Sequence, residues 1–346
     1  MTSCLRDAGR IGLLTILLML AGHSMDAAEA HDEGWTRYQQ RYGGSKIRVV
    51  VVEEAGIFQH DTLKLFAELE RSLVAMDGVR ESTSPLTITV LGGTDGALEL
   101  GPAAPRGKVP ATEEEMADLQ HTLQAMPSSI ASVVSPDGQA GVIVLELAYG
   151  TDRASVLLAL NELLAPLREA GHDVSVYTEE LLTEDSDFEL QDNVFDEHFA
   201  GSVQLVVEID TGQQDGLKGA GVLNDLLTFE TFLRQLGFGA VRSIADLVCE
   251  LNEHLNGEDS AFLTVPDSET LISQLLLLYR FQGGDVNRYA LPDDSSGIVT
   301  GMLRFTTDED AVCTASVVAR SLENFFVYPL QARNLCVLRL IPWVPE

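Results

Sequence analysis

The sequence predicts an α+β fold made of two tandem copies of one split β-α-β sandwich module, related by internal duplication. A long internal repeat, a shared order of strand and helix patterns, and an acidic stretch between the halves lead to this prediction. The repeated residues are Pro110, Pro136, Asp137, Gly141, Thr151 and Asp152, which recur 156 positions later as Pro266, Pro292, Asp293, Gly297, Thr307 and Asp308. Such a repeat is a whole domain, because solenoid units repeat every ~20–50 residues.

Upstream of these matches the spacing of the repeat changes by one residue. The residues repeated at 157 positions are Tyr38, Tyr42, Gly44 and Ser45, which correspond to Phe195, Phe199, Gly201 and Ser202. A single insertion or deletion is therefore expected between the two registers.

The first thirty residues have the pattern of a cleaved secretory signal. Arg6 and Arg10 precede an apolar run over residues 11–22, and Ala28 and Ala30 form an A-x-A cleavage site. An uncleaved membrane anchor is the alternative, although the apolar run makes only about 18 Å of helix against a hydrocarbon core of roughly 30 Å. The mature chain is therefore expected in the periplasm.

The first copy alternates strand and helix patterns. Strands are predicted at 46–52, 86–91, 131–135, 140–147 and 172–177, and helices at 61–76, 112–125 and 153–170. Thr112 and Glu115 form a capping box for the second helix. Pro136-Asp137-Gly138 is a turn signal typical of hairpins. A glycine- and proline-rich loop is expected from the second strand to Gly107.

The second copy is expected to match the first element by element, with helices on one face of each sheet. Strands are predicted at 203–209, 298–305 and 325–328, and helices at 223–236, 268–280 and 308–322. The joint 239–242 is aligned with 78–80. The predicted domains are the signal peptide at 1–30, the first copy at 35–178, an acidic linker at 179–198, the second copy at 199–330, and an atypical tail at 331–346.

Charge and motifs exclude several function classes. The net charge of −31 disfavours nucleic acid and anionic membranes, which both require a basic face. We found no H-E-x-x-H or G-x-S-x-G motif, and the glycine-rich run 92–96 lacks the Lys-Ser/Thr of a phosphate loop. No enzymatic activity, metal or cofactor is therefore expected. The disulfide status of Cys249, Cys313 and Cys336 stays open, because three thiols leave one over.

The chain resembles the exported porter loops of RND-superfamily transporters, particularly the MMPL-type lipid exporters. The first copy carries this resemblance in Tyr42-Gly43-Gly44-Ser45, the joint 78–82, Gly93-Thr94-Asp95-Gly96, Pro110-Ala111-Thr112-Glu113-Glu114 and the run 134–140. The second copy carries it in Phe199-Ala200-Gly201-Ser202, Val241-Arg242-Ser243 and Leu263-Thr264-Val265-Pro266. The resemblance implies two porter-like domains, here without the membrane helices and intramembrane carboxylates that drive export in the family.

The resemblance implies a periplasmic, non-enzymatic protein that binds or helps to transfer a hydrophobic or lipid-like molecule, in association with a membrane exporter. The alternatives are an accessory subunit of a full-length RND transporter, self-association, or a truncated transporter fragment without independent transport activity. Leu271, Leu275, Leu278 and Tyr279 are the candidate wall of an apolar cleft. Core packing of an amphipathic helix is the alternative interpretation of these four residues.

Overall fold

A computed structural model describes residues 40–42, 46–92, 98–125, 133–148, 150–178, 193–201 and 203–304, together with the single residues 314, 317, 318 and 321. The strands are β1 (Lys46–Val52), β2 (Val79–Thr83), β3 (Thr89–Gly92), β4 (Glu99–Pro102), β5 (Ala140–Leu147), β6 (Asp173–Thr178), β7 (Val203–Asp210), β8 (Gly239–Arg242) and β9 (Ser296–Leu303). The helices are α1 (His60–Val74), α2 (Glu113–Ala125), α3 (Arg153–Glu169), α4 (Asn193–His198), α5 (Ala220–Gln235), α6 (Ile244–Leu255) and α7 (Glu269–Phe281). The fold is α+β, as predicted.

Two antiparallel sheets organise the two halves of the chain. The first sheet has the strand order β2-β5-β1-β6, and the second has the order β7-β9-β8. Each half therefore places its hairpin strand, β5 or β9, between its first strand and a short edge strand. Both edge strands, β2 and β8, shift register against the hairpin strand. The third sheet is the separate hairpin β3-β4.

One face of each large sheet, here called the inner face, packs against helices. Along β1, Ile47, Val49 and Val51 lie in the first core, whereas Val50 points to the opposite, open face. This alternation follows from the two-residue period of a strand. Helices α1, α2 and α3 supply the other side of the first core, and α5, α6 and α7 supply that of the second core.

The repeated glycines Gly141 and Gly297 let the chain approach these inner faces closely. A Cβ atom at Gly141 would lie 2.4 Å from Cζ of Phe66, which is fully buried on α1. A Cβ atom at Gly297 would lie 2.8 Å from Cδ1 of Leu217. Both glycines are therefore required by packing in the cores, which are as dense as organic crystals.

The segment between the edge strand and the next helix differs between the halves, so the expected element-by-element match is wrong there. The first half has the hairpin β3-β4, and the second half has helix α6. Ser243 and Asp246 close a capping box that starts α6. The expected loop before Gly107 contains β4, and the strand predicted at 86–91 begins at Thr89 instead.

The hairpin β3-β4 connects the two cores. At its base, Ile88 and Ala104 are buried in the first core. Further along it, Leu98 is buried in the second core, and Leu91 packs against that core. The hairpin therefore ties the first half to the second through apolar contacts.

Each half also sends the helix that precedes its first strand onto the open face of the other half. Phe195 on α4 and Phe199 just after it cluster with Val50 and Val142 of the first sheet. Residues 40–42 are helical, and Tyr42 clusters with Val206 and Ile298 of the second sheet. This reciprocal exchange buries the apolar centre of both open faces. Helix α4 occupies the end of the predicted acidic linker 179–198.

The two exchanged contacts differ in polarity. The Tyr42 hydroxyl lies 3.2 Å from Oε1 of Glu208 and 2.8 Å from Oγ of Ser296, and Arg41 Nη1 donates to Glu208 Oε1 at 2.6 Å. Glu208 is buried, with 1% of its surface exposed. At the other contact the ring of Phe199 clusters with Val50 and Ala140 instead. One half therefore uses a charged network where the other uses hydrocarbon.

Several predictions fall outside the described residues. These are the signal with Ala28 and Ala30, most of the linker, residues 131–132 of the strand predicted at 131–135, the whole strand predicted at 325–328, and the tail 331–346. Of the helix predicted at 308–322, residues 314, 317, 318 and 321 are helical, and Val318 is buried in the second core. Within the described ranges, no helix has the length and apolarity that a membrane crossing requires.

We predict that the polar contact can be converted to the apolar one. Glu208→Val alone should lower the free energy of unfolding by about 1–3 kcal/mol, because the Tyr42 and Ser296 hydroxyls then lose a buried acceptor. The triple variant Tyr42→Phe, Glu208→Val, Ser296→Ala should recover most of this loss, because a matched apolar set replaces the buried members of the network and the Arg41 side chain, which is 39% exposed, can be solvated. Urea unfolding measures both, and losses that simply add would contradict the prediction.

Candidate functional site

The open faces of the two sheets border a cleft between the halves. The cleft has a cavity volume of about 350 Å³ and is lined by β1, β2 and β5 on one side and by β8 and β9 on the other. The hairpin β3-β4, helix α6 and the turn after α7 form its remaining walls. A cavity of this size lies at the lower end of the range of small-molecule sites.

Part of the cleft lining is apolar. The apolar side chains are Ile88, Leu91, Leu100, Val133, Val144, Phe195, Phe199, Leu247, Ile298 and Met302. The rings of Phe195 and Phe199 are tilted to each other with their centroids 5.0 Å apart, and the ring centroid of Tyr177 on β6 lies 4.5 Å from that of Phe195. The two phenylalanines come from the exchanged helix and the residue after it, so the contact that joins the halves also closes one end of the cleft.

Eight charged side chains line the cleft, four of each sign. The cations are Lys46, Arg48, Arg242 and Arg288, and the anions are Glu81, Glu146, Glu250 and Asp285. The cleft is thus neutral in formal charge, although the chain carries −31. A neutral cleft in so acidic a chain repels an anionic group less than the remaining surface does.

Glu146 is the centre of one charged group. Lys46 is its direct neighbour across the strands, Arg80 donates to it, and Arg288 Nη2 lies 3.7 Å from its Oε1. Burial raises the pKa of the Glu146 carboxyl, but the charges of Lys46, Arg80 and Arg288 outweigh it and hold the pKa below the usual value. Since Arg288 follows α7 and Glu146 lies on β5, this ion pair crosses between the halves.

Arg242 on β8 is the centre of a second charged group. Its Nη2 donates to Glu250 Oε2 at 2.8 Å, its Nε donates to the Tyr289 hydroxyl at 3.1 Å, and its guanidinium lies 5.5 Å from the centre of the Tyr289 ring. Burial lowers the pKa of Arg242, but Tyr289, Glu250 and Asp246 outweigh it and raise the pKa above its usual value. Arg242 is therefore a fixed positive charge at every accessible pH.

Two backbone features shape the cleft wall near these groups. A Cβ atom at Gly284 would lie 2.3 Å from the ring of Tyr279, so only glycine lets the turn after α7 lie flat on that ring. Ala240 has a φ of 46° within the register shift of β8 and also lines the cleft. A non-glycine residue with positive φ costs of order 1 kcal/mol, which the surrounding contacts must offset.

The structure places the four residues predicted for the cleft in different environments. Tyr279 lines the cleft, and burial raises the pKa of its hydroxyl to about 12. Leu275 is buried in the second core, and Leu278 packs against that core. Leu271 is exposed. Helix α7 thus contributes a single residue to the cleft lining. The charged residues of that lining were not predicted from the sequence.

One signal in the sequence pointed to that lining. Strand β5 reads AGVIVLEL, and Glu146 is its single charged residue. A carboxylate in an otherwise apolar strand must find cations when it is buried. The other members come from separate elements, so their spacing in sequence carried no signal.

The described residues supply little for covalent or metal chemistry. Within the described ranges, no group of three or more His, Cys, Asp or Glu side chains could hold a metal ion. Cys249 is buried on α6, and burial together with Asp246 raises the pKa of its thiol to about 12, which keeps the thiol protonated and unreactive.

Comparison of the chain with protein-family models, curated proteins and solved structures gives no match.

A buried carboxyl lies close to Asp246 on α6, the helix that also contributes Leu247 and Glu250 to the cleft. Glu230 on α5 is fully buried, and its Oε2 accepts from Arg234 at 3.1 Å while its Oε1 has no hydrogen-bond partner. Burial, followed by the charge of Asp246, raises the pKa of Glu230 to about 8. By contrast, Glu70, the buried carboxyl of α1, accepts hydrogen bonds from Ser82, Ser84 and Thr87.

We predict that stability falls as the pH rises from about 4.5 to about 8, since the folded state keeps the Glu230 proton that the unfolded chain releases in this window. The loss should be on the order of a few kcal/mol. Glu230→Gln should flatten this slope, because a neutral amide has no proton to release. Urea unfolding from pH 5 to 9 measures the slope, and Glu68→Gln on the exposed face of α1 is the matched control. An unchanged slope in Glu230→Gln would count against the assignment.

Proposed function

We propose that the chain is a periplasmic, porter-like, non-enzymatic protein that binds a hydrophobic or lipid-like molecule in the cleft between its halves and helps to transfer it in association with an RND/MMPL-type membrane exporter. The single observation that carries the binding proposal is the cleft itself. Two open sheet faces border it, and they combine apolar side chains with ion-paired charges. Ligand sites commonly join apolar walls with a few placed polar groups in this way.

We also propose that the two halves arose by duplication, as in the porter loops that the sequence resembles. The matching strand orders support this, and so do backbone hydrogen bonds that recur at corresponding positions. Ile57 N donates to Gly138 O in the first half, and Leu217 N donates to Asp294 O in the second, each at about 3 Å. Such agreement in detail exceeds what a shared fold class requires.

The spacings between matching elements of the two halves support a duplication followed by several small insertions or deletions. The hairpin strands align at 156 positions, but the first helices and first strands align at larger spacings. Ser84 and Ser243 each begin the segment after the edge strand, and Gly78 and Gly237 each have positive φ in the turn between the first helix and the edge strand. The joint 78–80 thus corresponds better to the residues that begin at Gly237 than to 239–242, with which the sequence alone aligned it.

The binding proposal is tested by filling the cleft. Thr300 lines the cleft from β9, and Thr300→Trp should reduce binding of a fluorescent fatty-acid probe about tenfold or more, because the indole would occupy the cavity. Thr228→Trp places the same residue on the exposed face of α5 and is the control. Titration of the probe by fluorescence measures both variants, with melting temperatures to verify folding. Equal affinity in the two folded variants would refute the cleft as the binding site.

An accessory-subunit function is the second candidate, and one surface feature favours it. Leu277 and Phe281 lie one turn apart on α7 and expose 50% and 79% of their surface. We expect a photo-crosslinker placed at Phe281 to capture an RND-type membrane protein in cells, and one placed at exposed Leu158 on α3 to capture much less. Recovery of uncrosslinked chain from both would contradict this candidate.

A further inference from the structure

We propose that the cleft selects amphiphiles whose head group is zwitterionic, carrying one positive and one negative charge. This inference rests on the proposed binding function and names the chemical class of its ligand. It comes from the charge balance of the lining, the connection between the charged groups, and the polarity gradient along the first sheet.

The charge balance is unusual for this chain. The full sequence has 22 Lys and Arg residues against 53 Asp and Glu residues. The cleft lining nevertheless holds four of each. Cations are therefore concentrated at the cleft, where they compensate its carboxylates one for one.

The charged groups form one connected network through the turn after α7. Arg288 lies 3.7 Å from Glu146 and 3.5 Å from Asp285. Glu146, Asp285, Glu81 and Tyr289 together raise the pKa of Arg288. Tyr289 in turn accepts from Arg242, which is paired with Glu250. A charged ligand group that enters here therefore changes the electrostatic environment of all these charged residues.

Such a balanced network discriminates by charge. A ligand with a single negative charge that pairs with Arg288 displaces Asp285 or Glu146 from it. Glu146 keeps Lys46 and Arg80, but the occupied cleft then holds one negative charge in excess. An excess charge in a partly desolvated cleft is unfavourable. A zwitterionic head exchanges both partners at once, its anion on Arg288 and its cation on the displaced carboxylate, so every charge stays paired.

The open face of the first sheet supplies the matching polarity gradient. Across β1 and β5, the facing pairs run from Lys46 and Glu146, through Arg48 and Val144, to Val50 and Val142. The last pair packs against Phe199. The gradient places the head group by Glu146 and the hydrocarbon chain toward Phe199.

The experiment compares four lauroyl amphiphiles below their micelle concentrations: a zwitterionic lysophosphatidylethanolamine, an anionic lysophosphatidylglycerol, a cationic lauroylcholine and a neutral monolaurin. Isothermal titration calorimetry with the full chain measures each affinity. We expect the zwitterionic ligand to bind about tenfold more tightly than either singly charged ligand, since unpaired charges in a cleft are costly.

Two variants test the charge logic. Glu146→Gln leaves the network with one excess positive charge, so the preference should move to the anionic ligand. Arg288→Gln leaves one excess negative charge, so the preference should move to the cationic ligand. Glu68→Gln and Arg71→Gln, both exposed on α1, make the same changes in net charge away from the cleft and should leave the order unchanged.

The outcomes separate this inference from the proposed function. If all four ligands bind equally, or a singly charged ligand binds most tightly to the unaltered chain, the head-group inference is overturned while cleft binding stands. A uniform loss of affinity in Glu146→Gln and Arg288→Gln, without a change of order, also overturns it. If none of the ligands binds and none displaces the fatty-acid probe, both the inference and lipid binding fail.

Discussion

The reciprocal packing of the two leading helices is the contact on which the rest of the structure depends. The open face of each large sheet carries apolar residues, such as Val50 and Val142 or Val206 and Ile298, that water would otherwise contact. Each face is covered by the helix that leads into the other half. Because burial of apolar surface stabilises at roughly 25 cal/mol per Å², neither half completes its packing alone. The same contact fixes the distance between the two sheets, and hence the cleft.

The two exchanged contacts solve one packing problem with opposite chemistry. Phe199 meets Val50 and Ala140, whereas Tyr42 meets Glu208 and Ser296. The hydroxyl of Tyr42 and the carboxylate of Glu208 depend on each other, since the loss of either one removes a buried hydrogen-bond partner of the other. Such coupled differences are expected where two copies of one module diverge while they keep the same interface.

The charge of the chain has two distinct roles. The net charge of −31 disfavours binding to polyanions. Within the cleft, each carboxylate has a cation nearby, and the ion pair between Glu146 and Arg288 joins the halves at 3.7 Å. Desolvation would make an isolated charge there costly. The chemistry of the cleft is therefore set by local pairing and not by the total of −31.

The sequence by itself determined the α+β class, the bounds of β1 and β5, and the helices α1, α2, α3, α5 and α7 to within a few residues. Local signals fix these elements: the apolar runs of β1 and β5, the period of 3.6 in α1, and the cap at Ser268. It missed β2 and β4, which are short and only half-buried, because edge strands carry few apolar residues. The run 245–252 has a helical pattern, which α6 confirms, but that pattern did not indicate that the helix stands in place of a second hairpin.

Only the tertiary structure decided which residues form the cleft. Of the predicted wall, Tyr279 lies there, whereas Leu275 serves the core. Glu146, Arg242 and Arg288 come from three separate elements, and their proximity depends on how the halves face each other. The physical reason is that periodicity records which face of an element is buried, but not what that face contacts. The partner of each open face was the other half's leading helix, and no pattern within either half specifies that choice.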